Sequence, residues 1–137
     1  MKIQHVAFNY VNQVWPEISE YLKAAVEKQQ GVPDYTLEQV KVYVTTGQWL
    51  LLVAVDDESI IRGAATVDLF NRPSHRVAFV TCAGGRLMSN LDSAANLKLV
   101  LKGFGATSIE CAANGSTERL WQRLGFTEKY KILEVTI

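Results

Sequence analysis

Hydrophobic and polar positions change period several times along this 137-residue chain, and the changes mark out elements. Ile3 to Phe8 predicts a short first strand. Trp15, Ile18, Tyr21, Leu22, Ala25 and Val26 then recur at helical spacing. Pro16 suits the first turn of that helix, Glu17 and Glu20 favour its positive end, and Gly31 can end it. Thr36 with Gln39 makes a capping-box pattern ahead of a second apolar face, Leu37, Val40, Tyr43 and Val44, which Gly47 closes.

The period then falls to that of strands. "QWLLLVAV" (48–55) is a continuous apolar run, too short for a helix. The turn "DDES" joins it to "IIRGAATVDLF" (60–70), and the turn "NRPSH" leads to "RVAFVTCA" (76–83). These three predict an antiparallel meander, covered on both faces because the runs are continuous. After Gly84 and Gly85 the helical period returns with Leu91, Ala94, Ala95, Leu97, Leu101 and Phe104. Ser89 or Asn90 caps this helix, and Gly103 or Gly105 ends it. "TSIECAA" (107–113) reads as a strand, "STERLWQRL" (116–124) as a short helix and "KYKILEVTI" (129–137) as a last strand. The order β-α-α-β-β-β-α-β-α-β predicts one α/β domain over residues 1–137, built on a single mixed sheet.

Composition changes this picture little: 48% hydrophobic and 20% charged residues are those of an ordinary globule. Fourteen basic residues balance fourteen acidic ones, so no net positive field favours nucleic acid or an anionic membrane. The same neutrality leaves little repulsion against self-association. The first residues carry no long apolar core of a signal peptide, and the longest apolar stretch, Trp49 to Val55, is too short to span a bilayer. Cys82 and Cys111 lack metal-ligand spacing. They are expected as buried thiols in neighbouring strands, with a disulfide or a reactive thiol as the alternatives. A reducing, cytoplasmic setting is the expectation.

Familiar catalytic constellations are absent: the sequence has no Walker loop, no G-x-S-x-G elbow, no H-E-x-x-H and no C-x-x-C. His5 and His75 lie far apart and read as surface or turn residues. "FVTCAGGRLMSN" places two glycines and Arg86 between a strand and a helix start. Backbone N–H groups, the helix dipole and the guanidinium can together hold a phosphate there; a tight strand-to-helix turn is the plainer reading.

The closing unit "NGSTERLWQRLGF" (114–126) is similar to the last motif of the GNAT superfamily of N-acetyltransferases, N-x-x-A-x-x-L-Y-x-K-x-G-F. Asn114, Thr117, Leu120, Trp121, Arg123, Gly125 and Phe126 stand in register with it. Together with the element order, the resemblance spans nearly the whole chain. It implies a GNAT-like, mostly antiparallel central sheet flanked by helices. It also implies acetyl-CoA as acyl donor and an amine as acceptor. The residues placed at the cofactor are Val80 and Cys82 on a splayed strand edge, Gly84, Gly85 and Arg86 at the phosphates, and Asn114 and Trp121 at the pantetheine arm. The chain departs from the family in its phosphate loop. The form R/Q-x-x-G-x-G/A is missing, and Gly84, Gly85 and Arg86 come one step early.

Trp121 occupies the place where family members commonly carry a tyrosine that protonates the departing thiolate. Indole is no acid near neutrality, so Trp121 either packs on the pantetheine or adenine or fills the core. Glu110 and Asp68 are the nearest carboxylates to the expected cleft, and the sequence assigns neither as general base.

Two functions remain open: an acetyl-CoA-dependent N-acetyltransferase, or an inactive GNAT-fold protein with a binding or virion-assembly role. The second draws on a likeness to small uncharacterised proteins of tailed bacteriophages, an origin that would place the chain in the host cytoplasm or the virion. Family members usually follow the closing helix with two strands, whereas here Lys129–Ile137 alone follow it. Leu133, Val135 and Ile137 mark one face of that segment, and pairing with a second copy, a homodimer, is expected through this edge; the alternative is that it pairs wholly within its own sheet, with Lys129 and Lys131 guarding the edge.

Overall fold

A computed structural model describes residues 1–29, 33–87 and 89–137. Its strands β1 (Lys2–Val6), β2 (Leu50–Val55), β3 (Ile61–Arg72), β4 (His75–Gly85) and β5 (Ser108–Cys111) form one sheet in the order β1-β2-β3-β4-β5. The first three pairings are antiparallel and β4–β5 is parallel. Helices α1 (Val11–Glu27) and α2 (Leu37–Thr45) pack on one face, and α3 (Leu91–Gly103) and α4 (Gly115–Arg123) on the other.

The sheet buries both faces, as the continuous apolar runs predict. Ile18, Leu22, Val40 and Val44 meet Leu51, Val53 and Ala64 under α1 and α2. On the opposite face Leu97, Leu101, Trp121 and Leu124 meet Leu52, Val67 and Val80. Thr36 and Gln39 form the expected reciprocal cap of α2, each side chain accepting from the other's backbone N–H. Asn90, rather than Ser89, caps α3 by accepting from the Ser93 N–H at 2.9 Å.

Several boundaries differ from the sequence reading. β1 stops at Val6, and Phe8–Tyr10 form a 3₁₀ turn. Helix α1 begins at Val11, because fully buried Val11 extends the stripe of Ile18 and Leu22 backwards. Pro16 therefore lies inside the helix, and no acidic residue stands in its first turn. Gly31 lies outside the described residues; the helix closes at Glu27, after which the Gln29 side chain bonds the carbonyls of Val26 and Tyr35. The turn placed over 71–75 is shorter, since β3 runs to Arg72 and β4 starts at His75.

The largest correction is at the C-terminus. Lys129–Ile137 form no strand, and Ile132, Leu133, Val135 and Ile137 are exposed. Period-two alternation makes a segment competent to be a strand, but a strand also needs a neighbour to accept its hydrogen bonds. Along 127–137 none is engaged among the described residues.

A candidate acyl-transfer cleft

β4 and β5 share only four residue pairs, from Val77↔Ser108 to Val80↔Cys111. Beyond them β4 continues to Gly85, while the other chain segment leaves the sheet and turns into α4. The parallel strands therefore part after Val80 and leave a wedge with one bare β4 edge.

A β-bulge sits at the same point. Thr66 of β3 pairs with Cys82 and Val67 pairs with Val80, so Thr81 is the extra residue. The Thr81 hydroxyl lies 2.7 Å from that of Thr66 and 3.1 Å from the Thr66 carbonyl, which holds the bulge in place. The bulge also switches the side-chain alternation. Val80 packs among the α3 and α4 residues, and Cys82 packs beneath α1, its thiol donating to the Leu22 carbonyl at 3.6 Å. Both residues thus lie at the wedge, and both offer it backbone rather than side chain. Burial pushes the Cys82 thiol up to about 12 and the Cys111 thiol up to about 11, so neither is a ready nucleophile. The two thiols are free and on opposite faces of the sheet.

The glycine turn has a packing requirement of its own. A Cβ on Gly84 would overlap the Tyr21 carbonyl oxygen, so α1 crosses β4 at backbone contact. Gly85 takes φ +70°, and the next N–H, that of Arg86, donates to the Arg62 carbonyl at 2.9 Å. The Arg86 side chain is exposed. Asp92 stands in the first turn of α3, where a negative charge opposes an incoming anion.

Across the wedge, Asn114 is the N-cap of α4, yet its side chain makes no capping bond. Its amide is left available at the mouth of the cleft. Trp121, about two turns on, is buried and meets Phe126 edge to face with ring centroids 4.8 Å apart. Asn114, Trp121, Gly125 and Phe126 are thus brought to one end of the sheet, while Arg86 lies across the wedge.

The two carboxylates left unassigned by sequence separate clearly. Asp68 pairs with Phe79, and Phe79 pairs with Glu110, so all three side chains form one row on the α1/α2 face. Glu110 is ion-paired with the Arg72 guanidinium, whose two ends each donate to it, and with the Lys129 ammonium at 3.1 Å. These partners, Arg72 first, hold its carboxyl below the usual range. Asp68 has no hydrogen-bond or ion-pair partner among the described residues, and burial raises its carboxyl. The sequence could not separate them because Arg72 is 38 residues from Glu110. Arg72 fell in a segment that reads as turn.

The Glu110 assignment has a measurable consequence. A carboxyl with a lowered folded-state value contributes stability above its unfolded value and loses it as pH falls through the folded one. Arg72→Met is expected to be less stable than the parent at neutral pH, with the difference closing on acidification through the carboxylate range. Urea midpoints at several pH values between 3 and 7 check this. A difference independent of pH would mean the pair contributes packing only.

No protein-family model matches the chain, and no curated protein matches it in sequence. Solved structures do match in shape. A probable acetyltransferase aligns at 13% identity with a TM-score of 0.69, covering 100% of this chain and 97% of its own. The chain has the fold of the N-acetyltransferases. An aminoglycoside acetyltransferase from an uncultured soil metagenomic sample, solved with sisomicin, aligns at 13% identity and TM-score 0.67, covering 99% and 94%. A ribosomal-protein-alanine N-acetyltransferase from Brucella melitensis biovar Abortus 2308 aligns at 11% identity and TM-score 0.66 over the whole of both chains. Among the described residues no helix is long and apolar enough to cross a membrane.

Proposed function

We propose that the wedge beyond Val80 binds the thioester arm of acetyl-CoA and that the protein transfers the acetyl group to an amine. The observation that carries this is the parting of β4 from β5 at a bulge, beside a helix N-cap whose amide is unspent. Bare backbone N–H groups on β4 suit a thioester carbonyl whose oxygen gains charge in the transition state. The Asn114 amide suits the amides of a pantetheine arm, Trp121 and Phe126 supply an apolar wall, and Arg86 stands on the side where phosphates would lie.

Asp68 is the base in this reading. It takes one proton from the acceptor ammonium, and the amine nitrogen bonds the thioester carbonyl carbon as the carbon–sulfur bond breaks. The second proton of the amine goes with the thiolate. Trp121 offers an N–H but no acid, so the thiolate takes that proton from the amine, directly or relayed through water. The chain further acts as a homodimer in this reading, on the strength of its bare apolar tail.

A second reading keeps weight on specific grounds: the fold without turnover, in a binding or assembly role. Gly84 and Gly85 are accounted for by packing, Asp92 opposes a phosphate at α3, and Trp121 is buried in the core.

Thermal shift with acetyl-CoA separates the two. A ligand selective for the folded state at a hundredfold excess over Kd adds about 2.7 kcal/mol, which moves Tm by several degrees. We expect that shift for the parent chain and its loss in Arg86→Glu. A folded sample with no shift at millimolar acetyl-CoA decides for the second reading.

A further inference from the structure

The cross-strand row that holds Asp68 and Phe79 continues towards β2. Leu50 pairs with Val67, so one step further along the register Trp49 stands beside Asp68, opposite Phe79. Trp49 packs with the α1/α2 cluster, which puts its ring on the same face as Asp68. Directly opposed side chains in a sheet have Cβ atoms about 5 Å apart, so the Asp68 carboxylate is flanked by an indole and a phenyl ring. Two tyrosines fix the indole: Tyr43 of α2 stacks on it with centroids 4.5 Å apart, and Tyr35 meets it edge to face at 5.5 Å. The Trp49 backbone N–H also donates to the Tyr43 carbonyl at 3.0 Å. Trp49, Asp68 and Phe79 are all half-buried, and Phe79 directly precedes Val80, where β4 and β5 part. The row thus reaches the wedge on the α1/α2 face and keeps part of its surface open to water.

We propose that Trp49, Asp68 and Phe79 form the acceptor subsite, and that it takes a primary amine with one positive charge on a flat aromatic body. The inference rests on the acetyl-transfer reading and names its acceptor class. An ammonium at Asp68 gains a carboxylate and neighbouring ring faces together. The body behind it covers the apolar surface of Trp49 and Phe79. Because the two tyrosines already hold Trp49, little ordering is left to do when the ligand arrives. The charges on this face disfavour a polycation. Glu110, next along the row, is held by Arg72 and Lys129, and Arg72 also lies 5.2 Å from the Phe70 ring. Lys41 of α2 sits 5.4 Å from the Trp15 ring. A second ammonium would approach these cations. Asp34, the carboxylate next to Tyr35, is exposed, where water and salt screen it.

Thiol release from acetyl-CoA, measured with a panel of amines, tests the subsite. Tryptamine is expected to give a kcat/KM at least about tenfold above those of spermidine and trialanine, the scale of one good apolar contact. Propylamine reaches Asp68 but brings no ring, so it is the internal reference. Trp49→Leu is expected to raise KM for tryptamine about tenfold with kcat little changed, and to leave KM for propylamine in place. Phe79→Leu, on a different strand, is expected to do the same and stands in if Trp49→Leu fails to fold. A loss that falls equally on both amines makes the two rings structural and overturns the proposal. So does a chain that acetylates spermidine or trialanine as well as tryptamine. Calorimetry with tryptamine, with and without coenzyme A, separates the subsite from the transfer. Tryptamine binding in a chain that acetyl-CoA does not stabilise bears out the amine site and overturns the transfer. Stabilisation by acetyl-CoA with no tryptamine binding in either condition overturns the amine site and leaves the transfer standing.

Discussion

Gly84→Ala is expected to cost about 3 kcal/mol or more, or to prevent folding, the range of backbone overlap in a packed interior. The added methyl would overlap the Tyr21 carbonyl oxygen and stand 2.8 Å from its carbon. Both are backbone atoms, so no rotamer change relieves the clash and α1 must lift from β4. Cys82 packs under the same helix, donating to the Leu22 carbonyl, and loses that contact as the helix moves. The same corner includes Gly63 of β3, where a Cβ would meet the backbone N–H groups of Leu87 and Arg86 at 2.7 and 2.9 Å. Gly103, by contrast, is the last residue of α3 and has nothing near its Cβ position. Gly103→Ala is expected to be neutral or stabilising by a few tenths of a kcal/mol. Urea midpoints for the two variants measure the contrast. Equal midpoints would mean that α1 does not rest on Gly84.

That corner explains why the sequence reading of Gly84-Gly85 was ambiguous. The same two letters serve an anion-binding turn or a close helix crossing, and only the distance to Tyr21 separates the uses. Elements held by local chemistry were legible, as the Thr36–Gln39 cap and the apolar runs of β2 and β3 illustrate. Features that depend on register were not. The bulge at Thr81 adds one residue to a strand and leaves no mark in composition. The Arg72–Glu110–Lys129 cluster joins residues from three separate segments. The tail alternates like a strand, and nothing in its own sequence says where its partner lies.

The cross-strand row makes a prediction about catalysis that sequence could not support. Asp68→Asn is expected to lower kcat for any amine the parent acetylates by about 10²–10⁴-fold, the usual contribution of a positioned general base. Asp68→Glu keeps a carboxylate on the same face of the sheet and is expected to recover part of the rate. The acid limb of the kcat/KM profile should belong to Asp68 and vanish in the asparagine variant. Stability should move the opposite way. Burial raises the Asp68 carboxyl above its unfolded-state value. Its favourable contribution is therefore complete below the unfolded value and is lost as pH rises through the folded one. At neutral pH the ionised side chain is a burden on the fold, and asparagine removes it. Asp68→Asn should accordingly show a higher urea midpoint than the parent at pH 7, with the gap closing on acidification below the unfolded carboxyl value. Under the proposed acetyl-transfer function, a slower but more stable variant is the signature of a charge kept for chemistry at the expense of the fold. Full activity in Asp68→Asn would remove Asp68 from the reaction, and the stability difference alone would then identify it as a half-buried carboxylate with no catalytic part.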